Sequence, residues 1–566
     1  MPHKDRNRKQ RKFILWAILA AIFFSIFSAA YQFLRHWSVS YDIAIINANI
    51  HDGTKEGKGY IGGCGIQGNR IVKTWKSRTW FLKPRAKQLI DANGADLSPG
   101  FIDTHSHADL SIGNSGKGKI RADNFVGQGI TTVIVGNCGN SHVDIPKFVR
   151  SFDDRKININ IATLIGLNSI RKKVMFESSA PANASEIASM CEMIRGGMKA
   201  GALGASTGLA YPPGIFASRA EIIAQLKVAK EYGGIHTTHM RSEGERIKSA
   251  VEEVIDLSYS ANIPLLISHY KIMGLNNCIQ FDSIKKLILQ ARSKDMTVYV
   301  DYYPYTASST NLSIFLPDWY LAMDRKNKSK YLNSPAGWST LKAGVKEILQ
   351  KEGFNDFKFA TVAYYPPHRH WQGKTLEEID RLQRNTTVSS PDAQIDIFLE
   401  MENHGGAQMI YHNICPNVMK RIPIEEESMI GTDSAIRYEN TESIPHPRGW
   451  GAFPRFIKQF VREENLLSLD EAIYRMTGLP SHVFKLENRG RIQEGYYADL
   501  VIFDFNTIQD AASYNNPFAP PRGIKYVIVN GSVVVDNSKS STKPDNNSGI
   551  NIRDVYPGVF INRKCD

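Results

Sequence analysis

The pattern of apolar and polar positions changes character three times along the chain. Residues 13–34 form a run of 22 positions without a charge, behind a basic tail at 1–12. As a helix this run would rise about 33 Å, enough to span a bilayer core. The basic flank predicts that the tail stays cytoplasmic and that the body is anchored on the far side, periplasmic or extracellular. Small residues at Ser28-Ala29-Ala30 also fit a cleaved signal peptide, and either reading exports the body. From residue 41, apolar and polar positions alternate in short stretches, 41–50, 59–66 and 70–74, separated by Gly, Asp and Asn. Such alternation reads as half-buried strands. Similar strands return at 498–504 and 525–536. The two ends together predict one small β-sandwich domain, 41–98 with 481–540, leaving 541–566 as a tail.

Between 99 and 480 the pattern is different. Apolar strands alternate with helical stretches such as 181–200, 219–232 and 245–261. The strands end near His107, Cys138, Gly166, Leu209, His239, His269, Tyr305 and Asp433. Eight repeats of strand and helix predict a (β/α)8 TIM barrel. The interval 308–428 exceeds any barrel loop and predicts an insertion or lid. The expected fold class is therefore α/β: a metal-dependent barrel with a small β-sandwich domain from both chain ends and an N-terminal transmembrane helix.

Composition adds limits. The chain has 566 residues, 42% hydrophobic and 22% charged, which is the balance of a globular protein. Of the net charge of +13, the tail at 1–12 carries +5, so the rest is only modestly basic. No basic cluster is interleaved with aromatics, which argues against nucleic acid as a partner. Cys64, Cys138, Cys191, Cys278, Cys415 and Cys565 are scattered without CxxC spacing, so a disulfide framework is not expected.

The candidate chemistry sits at the strand ends. His105 and His107 close the first strand, one residue apart, and alternation points both the same way. Cys138 closes the second strand, His239 the fifth, His269 the sixth and Asp433 the eighth. A single Cys after an apolar strand is usually a small buried hydrophobe. Six N, S and O donors on five strand ends of a barrel, where such folds do their chemistry, suit Zn²⁺ instead. His236 falls on the opposite face from His239 and reads as structural. Lys271 lies two residues past His269, Tyr303 near the end of strand seven, and Arg448 in His446-Pro447-Arg448. Arg448 is the first candidate to clamp a carboxylate, with Lys271 and Tyr303 beside it, and position alone does not separate Tyr303 from Tyr305 in that role. Ser206-Thr207-Gly208 carries no assigned chemistry. Arg241 and Glu243 read as a supporting ion pair, and His368, His370 and Trp371 as a solvated loop.

In order along 41–540, these residues stand in motifs: Pro99–His107, Gly136–Gly139, Gly204–Gly214 (GASTGLAYPPG), His239–Gly244 (HMRSEG), Asp301–Thr306 (DYYPYT), Gly431–Ser434 and His446–Pro454 (HPRGWGAFP). The set resembles the D-aminoacylase (N-acyl-D-amino-acid deacylase) branch of the amidohydrolase superfamily. The resemblance implies one tight zinc site on Cys138, His239 and His269, and a second, weaker one on His105, His107 and Asp433. It implies Asp433 as general base and then acid, and a small-molecule N-acyl amino acid as substrate. A cyclic-amide hydrolase of the dihydroorotase or hydantoinase type shares the barrel, but would usually show a lysine on strand four. Lys199 lies before that strand, in a helix. A non-catalytic, membrane-tethered relative is the third reading, and the complete ligand set argues against it.

Overall fold

The computed structural model describes residues 15–25, 27–28, 40–77, 84–114, 118–425, 427–439, 442–538 and 550–562. Eight parallel strands build a barrel. The first three are Phe101–Asp103, Ile130–Val135 and the pair Asn160–Thr163 and Ile165–Gly166, which flank Leu164. Gly204–Gly208, Ile235–His239, Leu265–Ile267, Val298–Tyr302 and Ser428–Ile430 follow. Each pairs in parallel with the next. The barrel closes where Thr104 N–H donates to Ile430 O at 3.4 Å and His107 N–H to Ser434 O at 2.9 Å.

Alternation along these strands sorts their side chains. Ile102, Ile134, Ala162, Leu164, Leu266 and Met429 share one buried cluster. Their neighbours Phe101, Val133, Val135, Ile161, Ile165, Leu265 and Ile267 belong to the main core, with the helices. The helices begin where the sequence offers caps. Asn183 and Glu186 form a capping box ahead of Ala184–Lys199, and Ser218 caps Arg219–Glu231.

The chain ends meet in one eight-stranded sheet. Strand Ser40–Ile50 pairs on one side with Tyr60–Gln67, and on the other with Arg85–Asp91 and then Asp96–Pro99. The sheet forks there, and Leu500–Phe503, Ile524–Val529 and Ser532–Asp536 continue it from the C-terminal half. Arg70–Trp75 pairs beyond Tyr60–Gln67, and residues of all eight strands share a single buried cluster. Residues 308–424 carry the three-stranded sheet Ser308–Asn311, Gln408–Tyr411 and Ala360–Tyr364, with helices Pro335–Lys351, Leu376–Arg384 and Pro391–Asn403 over a separate core. A disulfide between Cys278 and Cys415 ties this segment to the loop after strand six.

The expected transmembrane helix at 13–34 is corrected. Among the described residues, no helix is long and apolar enough to cross a membrane. Helical residues 15–25 form the longest described piece of that run. At about 1.5 Å per residue they cover roughly half of a bilayer core. The tail at 1–12 and the remainder of the run, other than 27–28, lie outside the described residues.

Candidate active site

The first strand carries His105 to the C-terminal mouth of the barrel, where its ring lies 4.9 Å from that of His269 and 5.4 Å from that of His107. Cys138 sits among the imidazoles. Its Sγ is 3.3 Å from His105 Nε2, 3.5 Å from His269 Nε2 and 3.7 Å from His239 Nδ1. Asp433 approaches from the other side, 3.2 Å from His107 Nε2 and 3.6 Å from His105 Nε2.

Three of these residues reach their places through unusual backbone. Cys138, His269 and Asp433 all have positive φ, at 52°, 37° and 48°. The left-handed region costs an L-residue energy, and the surroundings must hold it. Here Asp433 N–H donates to His105 O at 2.8 Å and His269 N–H to Asp301 Oδ1 at 2.6 Å. After Cys138, Gly139 N–H donates to Ser206 Oγ at 3.1 Å. A Cβ at Gly139, itself at φ 74°, would stand 2.2 Å from Asn168 Oδ1. Ser206 thus fixes the cysteine's turn, a supporting role.

The six donors fall into three overlapping groups: His105, His107 and Cys138; Cys138, His239 and His269; and His105, His269 and Asp433. Ligands of a tetrahedral zinc stand roughly 3.3–3.8 Å apart, given bonds of 2.0–2.3 Å. The spacings around Cys138 match. His105 Nε2, His269 Nε2 and His239 Nδ1 converge on the one Cys138 Sγ, while the opposite nitrogens of His105 and His239 face Asp301 at 3.6 Å and Glu243 at 3.9 Å, as carboxylates behind metal-binding imidazoles do. Burial pushes the Cys138 thiol up, but His105, His107 and His239 together hold it well below the usual thiol range. The donor set therefore fits a zinc ion, with Cys138 in two of the three groups.

A second layer orients the ligands. Glu243 lies 2.8 Å from His269 Nδ1 and 3.9 Å from His239 Nε2, and Lys271 Nζ donates to it at 2.5 Å. Glu243 thus serves the histidines, while Arg241 pairs with Glu253. His236 faces away, between Thr207 and Ser258, and burial pushes it down to about 3. Asp301 spans His269 and His105, the latter at 3.6 Å. The supporting role expected of Glu243 is met with other partners than Arg241, while that of Asp301 leaves no mark in sequence beyond its place on strand seven.

A cavity of about 1190 Å³ opens over this centre. Lys271, Tyr303 and Arg448 all line it. Arg448 pairs with Asp433 Oδ2 at 2.9 Å and stands 4.5 Å over the Tyr303 ring. His446 accepts the Arg448 N–H at 3.0 Å and lies 3.0 Å from Ala307 O, which fixes the arginine's turn. Tyr305 carries Arg455 over its ring at 4.6 Å and is not among the cavity's lining residues. Tyr211, from the GASTGLAYPPG stretch, packs its ring at a tilt 4.6 Å from that of His239 and shares a hydrogen bond with Thr310 at 2.7 Å. Its tyrosine gave no signal that could be told from packing. His368 and Trp371 stack on each other in the 308–424 segment, and neither lines the cavity. Lys199 ends its helix exposed, unlike a bridging lysine on strand four.

The chain is 31% identical over 502 residues to the N-acyl-D-glutamate deacylase of Alcaligenes xylosoxydans xylosoxydans, covering 85% of this chain and 91% of that one. The chain belongs to the D-aminoacylase family of amidohydrolases. The D-aminoacylase of the same organism is 30% identical, over 88% of this chain and 95% of its own length. Residues 429–535 match the model of the amidohydrolase family. The fold resembles the crystal structure of N-acyl-D-glutamate deacylase from Bordetella bronchiseptica, in complex with zinc and a phosphonate inhibitor. The TM-score is 0.74 at 28% identity, over 93% of this chain and all of that one.

Proposed function

We propose that this chain is a zinc-dependent hydrolase that cleaves N-acyl-D-amino acids to a carboxylic acid and a free D-amino acid. The observation that carries the reading is Cys138 Sγ within 3.7 Å of three imidazoles, with Asp433 and Arg448 facing the same cavity. Bound among these donors, zinc supplies a Lewis acid and lowers the pKa of water towards 7. Asp433 takes the proton of the water that adds to the acyl carbon. As the C–N bond breaks, the same carboxyl returns a proton to the amine. Arg448, with a planar fork of donors, holds the substrate carboxylate, and Tyr303 supports the guanidinium from below. Lys271, held by Glu243, adds positive charge to the same wall. The tight ion belongs with Cys138, His239 and His269, and a second, weaker one with His105, His107 and Asp433.

We also propose that the catalytic body works outside the cytoplasm, as a secreted protein. The Cys278–Cys415 disulfide supports this, because such bonds persist in oxidising compartments.

The deciding experiment measures zinc in the full chain and its turnover of paired N-acetyl-D- and N-acetyl-L-amino acids. Zinc at one ion or more per chain is expected, with D-selective release of acetate that a chelator abolishes and added zinc restores. Zinc without turnover of any linear N-acyl-D-amino acid would refute the deacylase reading.

A further inference from the structure

A second guanidinium faces the same cavity. Arg437 stands four residues past Asp433, in the loop that leads to helix Arg448–Phe456, and lines the cavity together with Arg448. Its position is built. Arg437 N–H donates to Asn124 Oδ1 at 3.1 Å, and Asn124 Nδ2 donates to Ala435 O at 3.2 Å and Gly449 O at 3.0 Å. Its stem runs past Gly449, where a Cβ would stand 3.6 Å from Arg437 Cγ and 2.6 Å from Ser434 Oγ.

This arginine lacks an anion. Its Nε is sealed from solvent without a hydrogen-bond partner, and among the described residues no carboxylate forms an ion pair with it. Asp433 is engaged by Arg448 at 2.9 Å. Glu442, which also lines the cavity, is held by Arg369 at 2.5 Å. Burial and repulsion from Arg448 pull the Arg437 guanidinium down to about 10. Arg437 is partly buried, and holding a cation there without a counterion is unfavourable until a ligand brings the missing charge.

Two guanidiniums on one cavity, with Asp433 paired to Arg448 alone, call for a ligand with two negative groups. Resting on the deacylase reading, we propose that Arg437 is a specificity-determining residue that receives a side-chain carboxylate. The preferred substrates are then N-acyl derivatives of D-aspartate or D-glutamate. The α-carboxylate goes to Arg448, beside the reacting centre, and the side-chain carboxylate to the fork of Arg437.

The test uses the zinc-loaded full chain and compares kcat/KM for N-acetyl-D-glutamate, N-acetyl-D-aspartate, N-acetyl-D-glutamine, N-acetyl-D-leucine and N-succinyl-D-leucine. Wild type is expected to favour an acid over the near-isosteric amide by about 100-fold, because a site built for a charged group rejects its neutral analogue. In R437Q that ratio should fall towards 1, chiefly through KM, and R437K should recover part of it. Zinc content reports that the variants are folded, and R437K carries the comparison if R437Q is not. An acid-to-amide ratio that R437Q leaves unchanged overturns the proposal, as does a wild type that favours neutral side chains. Preference for N-succinyl-D-leucine over N-acetyl-D-glutamate also overturns it, by placing the second anion on the acyl group. In those three outcomes the deacylase reading stands. Turnover of none of the five substrates overturns both.

Discussion

Cys138 and Asp433 do different work from similar backbone, and substitution should separate them. Replacing Cys138 by Ser removes the soft donor that faces three imidazoles. Metal analysis should show zinc reduced in step with activity, whereas full zinc and full turnover would refute the site. Asp433→Asn removes the proposed proton acceptor but leaves Cys138, His239 and His269 in place. Turnover should fall on the order of 10²- to 10⁴-fold while the tight zinc remains. The chemical types of all six donors were legible in the sequence, because each closes an apolar strand. Their approach was not: three carry positive φ, and none of the three is a Gly or Asn that would advertise it. Nor was Arg437 legible, since what distinguishes it is a missing counterion.

At the scale of elements, the strands and helices followed their periodicity and caps. The stretch 219–232 became helix Arg219–Glu231, and 245–261 became Ile247–Ser260. The contacts between elements were the hidden part. His51, one residue past strand Ser40–Ile50, lies 3.1 Å from Asp96 and 2.6 Å from Asp470 at the start of helix Leu469–Met476. It fastens the forked sheet to the barrel. Burial alone would lower its pKa, but hydrogen bonds and charge from Asp96 and Asp470 outweigh that and raise it above 6.5. A raised folded pKa means that the stabilisation is fully present below about 6.5 and is lost as pH climbs through the folded value. Thermal denaturation of His51→Gln should therefore show its largest deficit against wild type at pH 6 and a smaller one by pH 9. A deficit that grows with pH would contradict the clamp.

Across the whole molecule, the Cys278–Cys415 bond joins residues 137 apart in sequence. It braces the wall that carries Lys271, where Gly274 N–H also donates to Asn413 O and Cys415 N–H to Ile272 O. Cross-links of this kind contribute about 2–4 kcal/mol. C278S, C415S and the reduced wild type should each melt lower than the oxidised wild type, by similar amounts. Equal melting temperatures with and without reductant would show that the bond contributes nothing.

The sequence by itself determined the barrel, the order of its strands and the donor types at their ends. Those properties reside in local periodicity and in which residue follows each apolar run. Only the tertiary structure decided which donors meet, because convergence depends on closing a ring between residues such as Thr104 and Ile430. It alone set Glu243 on the histidines rather than on Arg241, put Tyr303 rather than Tyr305 on the cavity wall, and left Arg437 facing the cavity with no carboxylate paired to it among the described residues. Charge pairing of that kind is a property of three-dimensional neighbours, which a one-dimensional pattern does not encode.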